Sequence, residues 1–376
     1  MATVRNSSGE AVDLYQERAA DGIWYRASNV ELRGKGVLAT WSLRSMSLIE
    51  QLGLTAPIVQ APMAGVSTPA MAAAVSNAGA LGSIAVGATD AAGAGRMIAE
   101  TRALTDRPFN VNLFVHAAPR RDEGAEAAWL QALTPSFAAF GAAPPALLNA
   151  PYRSFADDDA MLARLVADAP AVVSFHFGLP DGERIRALKQ AGCLLLATAT
   201  NLDEALACKA AGVDAVVAQG WEAGGHRGMF DPDAADDRLG MAALTRLLVL
   251  RSGLPVVAAG GIMDGRGVHA ALNLGAVAAQ LGTAFIACDE SAADAAYRQA
   301  LTSEAAYHTT LTRAVSGRPA RCLRNRFTEL GAQTTAAIPD YPVAYDAGKA
   351  LNAAAKAVGE YGFGAQWAGQ AFPPPT

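Results

Sequence analysis

Two histidines stand where an imidazole could move a proton. His176 closes the run Val172-Val-Ser-Phe-His-Phe-Gly178, and His226 lies in Gly224-Gly-His-Arg-Gly228, just beyond the apolar run Ala215 to Gln219. An imidazole of ordinary pKa, about 6.5, accepts a proton at neutral pH. A period of two places Val172, Ser174 and His176 on one face and Val173, Phe175 and Phe177 on the other. The bulkier apolar set is expected to face helices, which turns His176 inward and makes it the first candidate for a base. His226, between glycines and beside Arg227, is its rival, suited to holding a phosphate or orienting a ring. His116 is a candidate pocket residue, and His269 and His308 read as surface positions. No HExxH or comparable ligand spacing occurs, so no metal is expected.

A second chemistry is written in glycines. The apolar run 255–259 ends in Gly260-Gly261, and Gln280-Leu-Gly-Thr283 ends a later one. Glycine pairs past strands bring backbone N–H groups close to an anion, and in a (β/α)8 barrel the loops after strands seven and eight form the usual phosphate site. The carboxamides Gln60, Asn112, Gln219 and Gln280 all fall at strand ends. Neutral donors and acceptors of this kind suit the rim of a flavin ring, whereas a sugar phosphate calls for a lysine or carboxylate pair on the strands. FMN is therefore the expected ligand, with a non-flavin phosphosugar lyase or isomerase as the alternative of another class.

These residues need a scaffold that gathers strand ends. Eight short apolar runs, 58–62, 81–86, 109–115, 172–177, 194–198, 215–219, 255–259 and 276–285, alternate with Ala- and Leu-rich helical spacers such as 69–78, 90–104, 182–191, 202–211 and 266–274. That rhythm predicts an α/β fold, a (β/α)8 TIM-type barrel, over residues 46–289. The segment 114–171 reads as a long βα excursion. Residues 290–376 are expected to pack on the barrel mouth as a lid, and residues 1–45, which lack a sustained period, to form a flexible extension. A formal charge of −5 without a basic run excludes nucleic acid and a membrane surface as partners. No apolar stretch is long enough to span a bilayer, and Cys193, Cys208, Cys288 and Cys322 form no CxxC pair, which together predict a cytoplasmic protein with reduced thiols.

Six motifs in order, Gln60-Ala-Pro-Met-Ala-Gly65, Asn110-Val-Asn-Leu-Phe114, Ser174-Phe-His-Phe-Gly178, Ala218-Gln-Gly-Trp-Glu-Ala-Gly-Gly-His-Arg-Gly228, Ala259-Gly-Gly-Ile-Met-Asp-Gly265 and Gln280-Leu-Gly-Thr-Ala-Phe285, together resemble the nitronate monooxygenase family, bacterial class I. The resemblance implies FMN as sole cofactor, O2 as co-substrate, and oxidation of alkyl nitronates such as propionate 3-nitronate to a carbonyl compound and nitrite. It matches His176 to the catalytic histidine and Met63, Asn112, Gln219, Gly224, Gly261, Gln280, Gly282 and Thr283 to cofactor positions; Gln60 and Gly260 join them from the reading of the strand ends. Tyr152, Tyr297, Tyr341, Tyr345 and Lys349 match the substrate pocket, where a lysine would meet an anion. A monomer or homodimer is expected. The same-class alternative is a flavin NAD(P)H:acceptor reductase, acting on a quinone or an enoyl-ACP. Two departures from the family's pattern are the 45-residue leader and the stretch after Gln370, where a C-terminal helix is usual.

Overall fold

A computed structural model describes residues 2–5, 11–19, 22–27 and 48–370. The chain divides into two compact units, Met1–Met46 and Ser47–Thr376. In the first, strands Ala2–Arg5, Ala11–Ala19 and Gly22–Ala27 pair antiparallel in sequence order. The rest of the expected extension, and the stretch after Gln370, lie outside the described residues.

The second unit is a (β/α)8 barrel. Its strands are β1 (Ile58–Gln60), β2 (Gly82–Ala85), β3 (Phe109–Phe114), β4 (Val172–His176), β5 (Leu194–Ala199), β6 (Ala215–Gln219), β7 (Val256–Ala259) and β8 (Ala278–Leu281). All neighbours run parallel, from β2 through β8 and on to β1. Gln60 N–H bonds to the Leu81 carbonyl and Leu81 N–H to that of Ile58, each at 2.9 Å, and this bridge closes the cylinder.

The strand period sorts side chains into two cores. Val59, Leu81, Val172, Leu196, Val217, Val257 and Ala278 fill the barrel interior. Val173, Phe175, Leu195, Ala197, Val216 and Val256 point outward and pack with Ile98, Leu165, Leu188 and Leu248 of the surrounding helices. Helix starts are set by side-chain acceptors for otherwise unpaired first-turn N–H groups: Asp90 caps Ala91–Leu104, Asp181 caps Gly182–Gln190, Asn201 caps Leu202–Ala211 and Asp264 caps Gly265–Asn273.

Over the C-terminal strand ends lies a separate apolar cluster. Helix Glu123–Ala139, from the excursion between β3 and β4, packs through Trp129, Leu133 and Phe137 against Val343, Ala347 and Leu351 of helix Val343–Ala357, with Phe327 and Phe363 alongside. The excursion and the segment beyond the barrel thus hold each other. Phe137 is fully buried in this cluster, so Phe137→Ala is expected to cost roughly 3–5 kcal/mol by leaving a cavity. A melt by circular dichroism reads it, and an unchanged midpoint would deny the cluster a part in stability.

Strand β4 departs from the expected alternation at its end. Phe177 leaves the strand with φ 79° and, instead of facing the helices, packs with Phe114 and Tyr341. Its turn carries the chain away from the strand immediately after His176.

Candidate active site

The strand ends and the overlying segments enclose a cavity of about 670 Å³, within the usual range for a small-molecule site. Met63, Asn112, His176, Gln219, Gly224, Gly260, Gly261, Gln280, Gly282 and Thr283 line it, as do Tyr152, Tyr297, Tyr345 and Lys349. Two of the expected residues do not. Gln60 is fully buried: its amide donates to Ser67 Oγ at 2.8 Å and to the Ala61 carbonyl, and its oxygen accepts from Ser83 N–H at 2.7 Å. Tyr341 lies one layer back, among Phe177, His226 and Tyr152. His116 is also behind the wall, its ring edge-on to Tyr341. His269 and His308 are exposed.

Position at a strand end does not decide what a carboxamide is free to do. Gln219 spends both ends on the glycine loop, donating to the His226 carbonyl at 2.9 Å and accepting from Gly228 N–H at 2.7 Å. Asn112 donates to Ser174 Oγ at 2.9 Å. Gln280 has no protein partner among the described residues and lines the cavity half-buried. Lys349 is the one charged residue of the lining among the described residues, and it donates to Tyr152 Oη at 2.8 Å while lying over that ring. Among the described residues no carboxylate lines the cavity. An anion meets no like charge there.

The two histidines differ in what their nitrogens can do. His176 Nε2 lies 3.1 Å from the His226 carbonyl oxygen, which only accepts, so Nε2 carries the hydrogen. Its Nδ1, 2.9 Å from Thr198 Oγ1, then accepts from that hydroxyl. Both nitrogens are engaged. His226 Nε2 meets Ser316 Oγ at 2.9 Å, and Ser316 Oγ can pass its own hydrogen to the Arg318 carbonyl at 3.4 Å. That leaves His226 Nδ1, without a protein partner among the described residues, on a ring that lines the cavity. Both rings touch the cavity, yet protein encloses them. Burial pushes His176 down to about 4 despite the His226 carbonyl, with Arg318 and Arg227 adding to the fall. Burial likewise pushes His226 down to about 3, helped by His176 and Arg318. Both are neutral at pH 7.

The glycine loop is fixed from several sides. Gly225–His226 pairs antiparallel with Arg321 and Ala320 of strand Ala320–Leu323, whose hairpin partner is Thr309–Thr312. Buried Arg227 pairs with Asp236 at 2.8 Å and donates to the Gln219 carbonyl. Glu222 accepts from Met241 N–H at 2.7 Å, supplying the start of helix Met241–Arg251 with the acceptor that Gly240 lacks. Gly260 and Gly261 hold φ 124° and 67°, conformations that glycine adopts without strain.

One contributor left no mark that sequence reasoning used: the strap of residues 366–370. Its Trp367 ring lies 4.9 Å from His226, and its carbonyl accepts from Tyr297 Oη. Gly369 N–H donates to Thr283 Oγ1 at 3.0 Å, and Gln370 N–H to the Glu222 carbonyl at 2.8 Å. A Cβ on Gly224 would stand 2.5 Å from Gly369 N, and one on Gly261 would stand 3.3 Å from the Gln370 carbonyl. Gly224 needs glycine because the chain's own backbone passes there, whereas at Gly261 the φ of 67° weighs more than the contact. The strap's own Trp367-Ala-Gly-Gln370 sequence was a signal that could have found it.

A sequence profile described as nitronate monooxygenase matches residues 45–373. A nitronate monooxygenase of Paraburkholderia phytofirmans is 62% identical over 326 residues, 86% of this chain and 89% of that protein. One from Pseudomonas aeruginosa is 56% identical over 320 residues, covering 85% and 91%. Among solved structures, nitroalkane oxidase from Streptomyces ansochromogenes superposes with a TM-score of 0.76 at 45% identity, over 84% of this chain and 90% of that one. FabK from Thermotoga maritima superposes at 0.64 with 28% identity, over 85% and 87%.

Proposed function

Because this chain belongs to the nitronate monooxygenase family, and so is an enzyme that oxidises nitronates, we propose that it does so with FMN held in the barrel-mouth cavity and with O2 as co-substrate. The observation that carries the cofactor is the character of the lining: paired left-handed glycines, an uncommitted Gln280 amide and no carboxylate. Thr283 Oγ1 accepts from Gly369 N–H, so its own hydrogen remains to donate to a phosphate oxygen. Gly260, Gly261, Gly282 and Thr283 would hold the phosphate. Gln280, Met63 and Asn112 would flank the ring, and Gln219 would keep the glycine loop in shape. Bound there, FMN supplies an electron acceptor for the nitronate and a donor to O2.

The chain's own residues have separable tasks in this reading. Lys349, with Tyr152, attracts and orients an anionic substrate at the mouth. Tyr297, Tyr345 and Trp367 shut out water, and Tyr341 backs them. His176 was the residue that sequence favoured as base; the free Nδ1 of His226 supports His226 as the group that meets a substrate proton, with His176 clamping the loop through the His226 carbonyl. The four free thiols suit a reducing compartment and so a cytoplasmic enzyme, monomeric or dimeric. Among the described residues no helix is long and apolar enough to cross a membrane.

Protein reconstituted with FMN is expected to be yellow and to release nitrite from propionate 3-nitronate in air, and to leave its flavin oxidised when NADH or NADPH is added without oxygen. Bleaching by the nicotinamide with no nitrite would instead favour a reductase. A preparation that stays colourless after FMN is added would sink the cofactor assignment.

A further inference from the structure

The loop of residues 313–319, which includes Ser316-Gly-Arg-Pro319, joins the two strands of the hairpin that pins the glycine loop. Its Arg318 is 4% exposed, yet among the described residues no carboxylate lies within ion-pair reach of it. Its Nη2 donates to the Met229 and Phe230 carbonyls, while Nε has no partner. Glu204 and Asp231 attract Arg318 from beyond ion-pair reach and spend their hydrogen-bonding capacity on other groups: Glu204 accepts from Thr200 N–H and Oγ1 and from Phe230 N–H, and Asp231 accepts from Asp233 N–H. Two carbonyls and the Phe177 face offset part of the cost of burying the guanidinium, and its charge, without an ion-pair partner, is left to act on an anion bound nearby.

Its position indicates where that anion sits. The guanidinium carbon lies 4.3 Å from the centre of the Phe177 ring. Phe177 in turn is 4.5 Å from the ring of His176 and 5.4 Å from that of His226, both on the cavity wall. One aromatic layer therefore separates an unpaired cation from the imidazoles of the cavity wall. Low-polarity matter between them leaves its field poorly screened. Lys349 lies exposed at the mouth, where solvent weakens it.

We propose that Arg318 is a specificity-determining residue: a fixed positive charge behind the cavity wall that favours an anionic nitronate over a neutral molecule of the same shape. This rests on the reading that the cavity holds the nitronate. Arg318→Gln keeps a donor for the Met229 carbonyl and removes the charge; Arg318→Lys keeps the charge. On FMN-loaded protein, Arg318→Gln is expected to raise the KM for an alkyl nitronate about tenfold, about 1.4 kcal/mol, with kcat changed far less, and Arg318→Lys to restore most of the difference. A role in packing alone would lower the melting temperature and kcat in both variants and leave the KM difference absent, overturning the proposal. Should the glutamine variant not purify folded, Arg318→Met carries the same test; failure of both uncharged variants to fold while lysine folds would assign the charge to stability and overturn it as well. Lys349→Met is the control. If it leaves KM unchanged, the placement of the nitronate in this cavity fails; if it raises KM while Arg318→Gln does not, only the Arg318 proposal fails.

Discussion

His226→Asn is expected to reduce oxidation of a neutral nitroalkane by about 100-fold, the low end of general base catalysis because a ring held near 3 is a weak base, while a preformed nitronate keeps most of its rate. The neutral substrate must lose its α-proton first, and the nitrogen free to take it is His226 Nδ1. A nitronate has already lost that proton. His176→Asn should behave differently. With its nitrogens on Thr198 and on the His226 carbonyl, its loss disturbs the loop and should slow both substrates alike. The pH dependence follows from the depressed pKa values. Both rings stay neutral as pH falls from 8, since protonation sets in only near 4 for His176 and near 3 for His226. The kcat/KM for a neutral nitroalkane should therefore show no inflection near the ordinary histidine value of about 6.5. An inflection there would mean that the working imidazole is solvated. If instead His176→Asn alone shows the neutral-against-nitronate asymmetry, the base is His176 and its bond to Thr198 must open during turnover.

The second large effect belongs to Gly224. Its substitution by valine would force a Cβ to within 2.5 Å of Gly369 N, a clash with backbone that no rotamer relieves. The strap must move, which breaks Gly369 N–H to Thr283 Oγ1 and shifts Trp367 off His226. Loss of flavin on gel filtration and a lower melting point are expected together, with the barrel's far-UV spectrum unchanged. Gly225→Ala is the comparison: its Cβ meets open space, but φ is 74°, so the expected cost is about 1–2 kcal/mol of backbone strain with flavin retained. Full flavin in Gly224→Val would show that the strap does not close the cofactor site.

The barrel was legible because each strand needs an apolar run with a period of two and each helix a polar cap, and both are properties of side chains. Val172, Ser174 and His176 shared a face as that period requires. Phe177 escaped it, since a left-handed residue after a strand has no signature when it is not glycine. The site was legible as a set of residues but not as a set of bonds. Gln60, Gln219 and Gln280 look alike in sequence, and only the third has its amide to spare, because Ser67 and Ser83 occupy the first and the glycine loop occupies the second. The difference between the histidines turns on the His226 carbonyl, and a main-chain oxygen carries no sequence mark. The pairing of helix Glu123–Ala139 with Val343–Ala357 joins segments some 200 residues apart, beyond the reach of any local pattern.

The strap gives the folding of this enzyme an order. Residues 367–370 bond to partners at 222, 283, 297 and 321, on the glycine loop, just past β8, on helix Ala295–Leu301 and on the hairpin, so the strap has a surface to dock on only once those elements are in place. The cylinder is expected to acquire slow amide exchange early in refolding, with the strap amides of Gly369 and Gln370 protected last. Appearance of bound-flavin fluorescence changes during refolding would then time the docking of these few residues, and the barrel would already be complete when the yellow colour arrives.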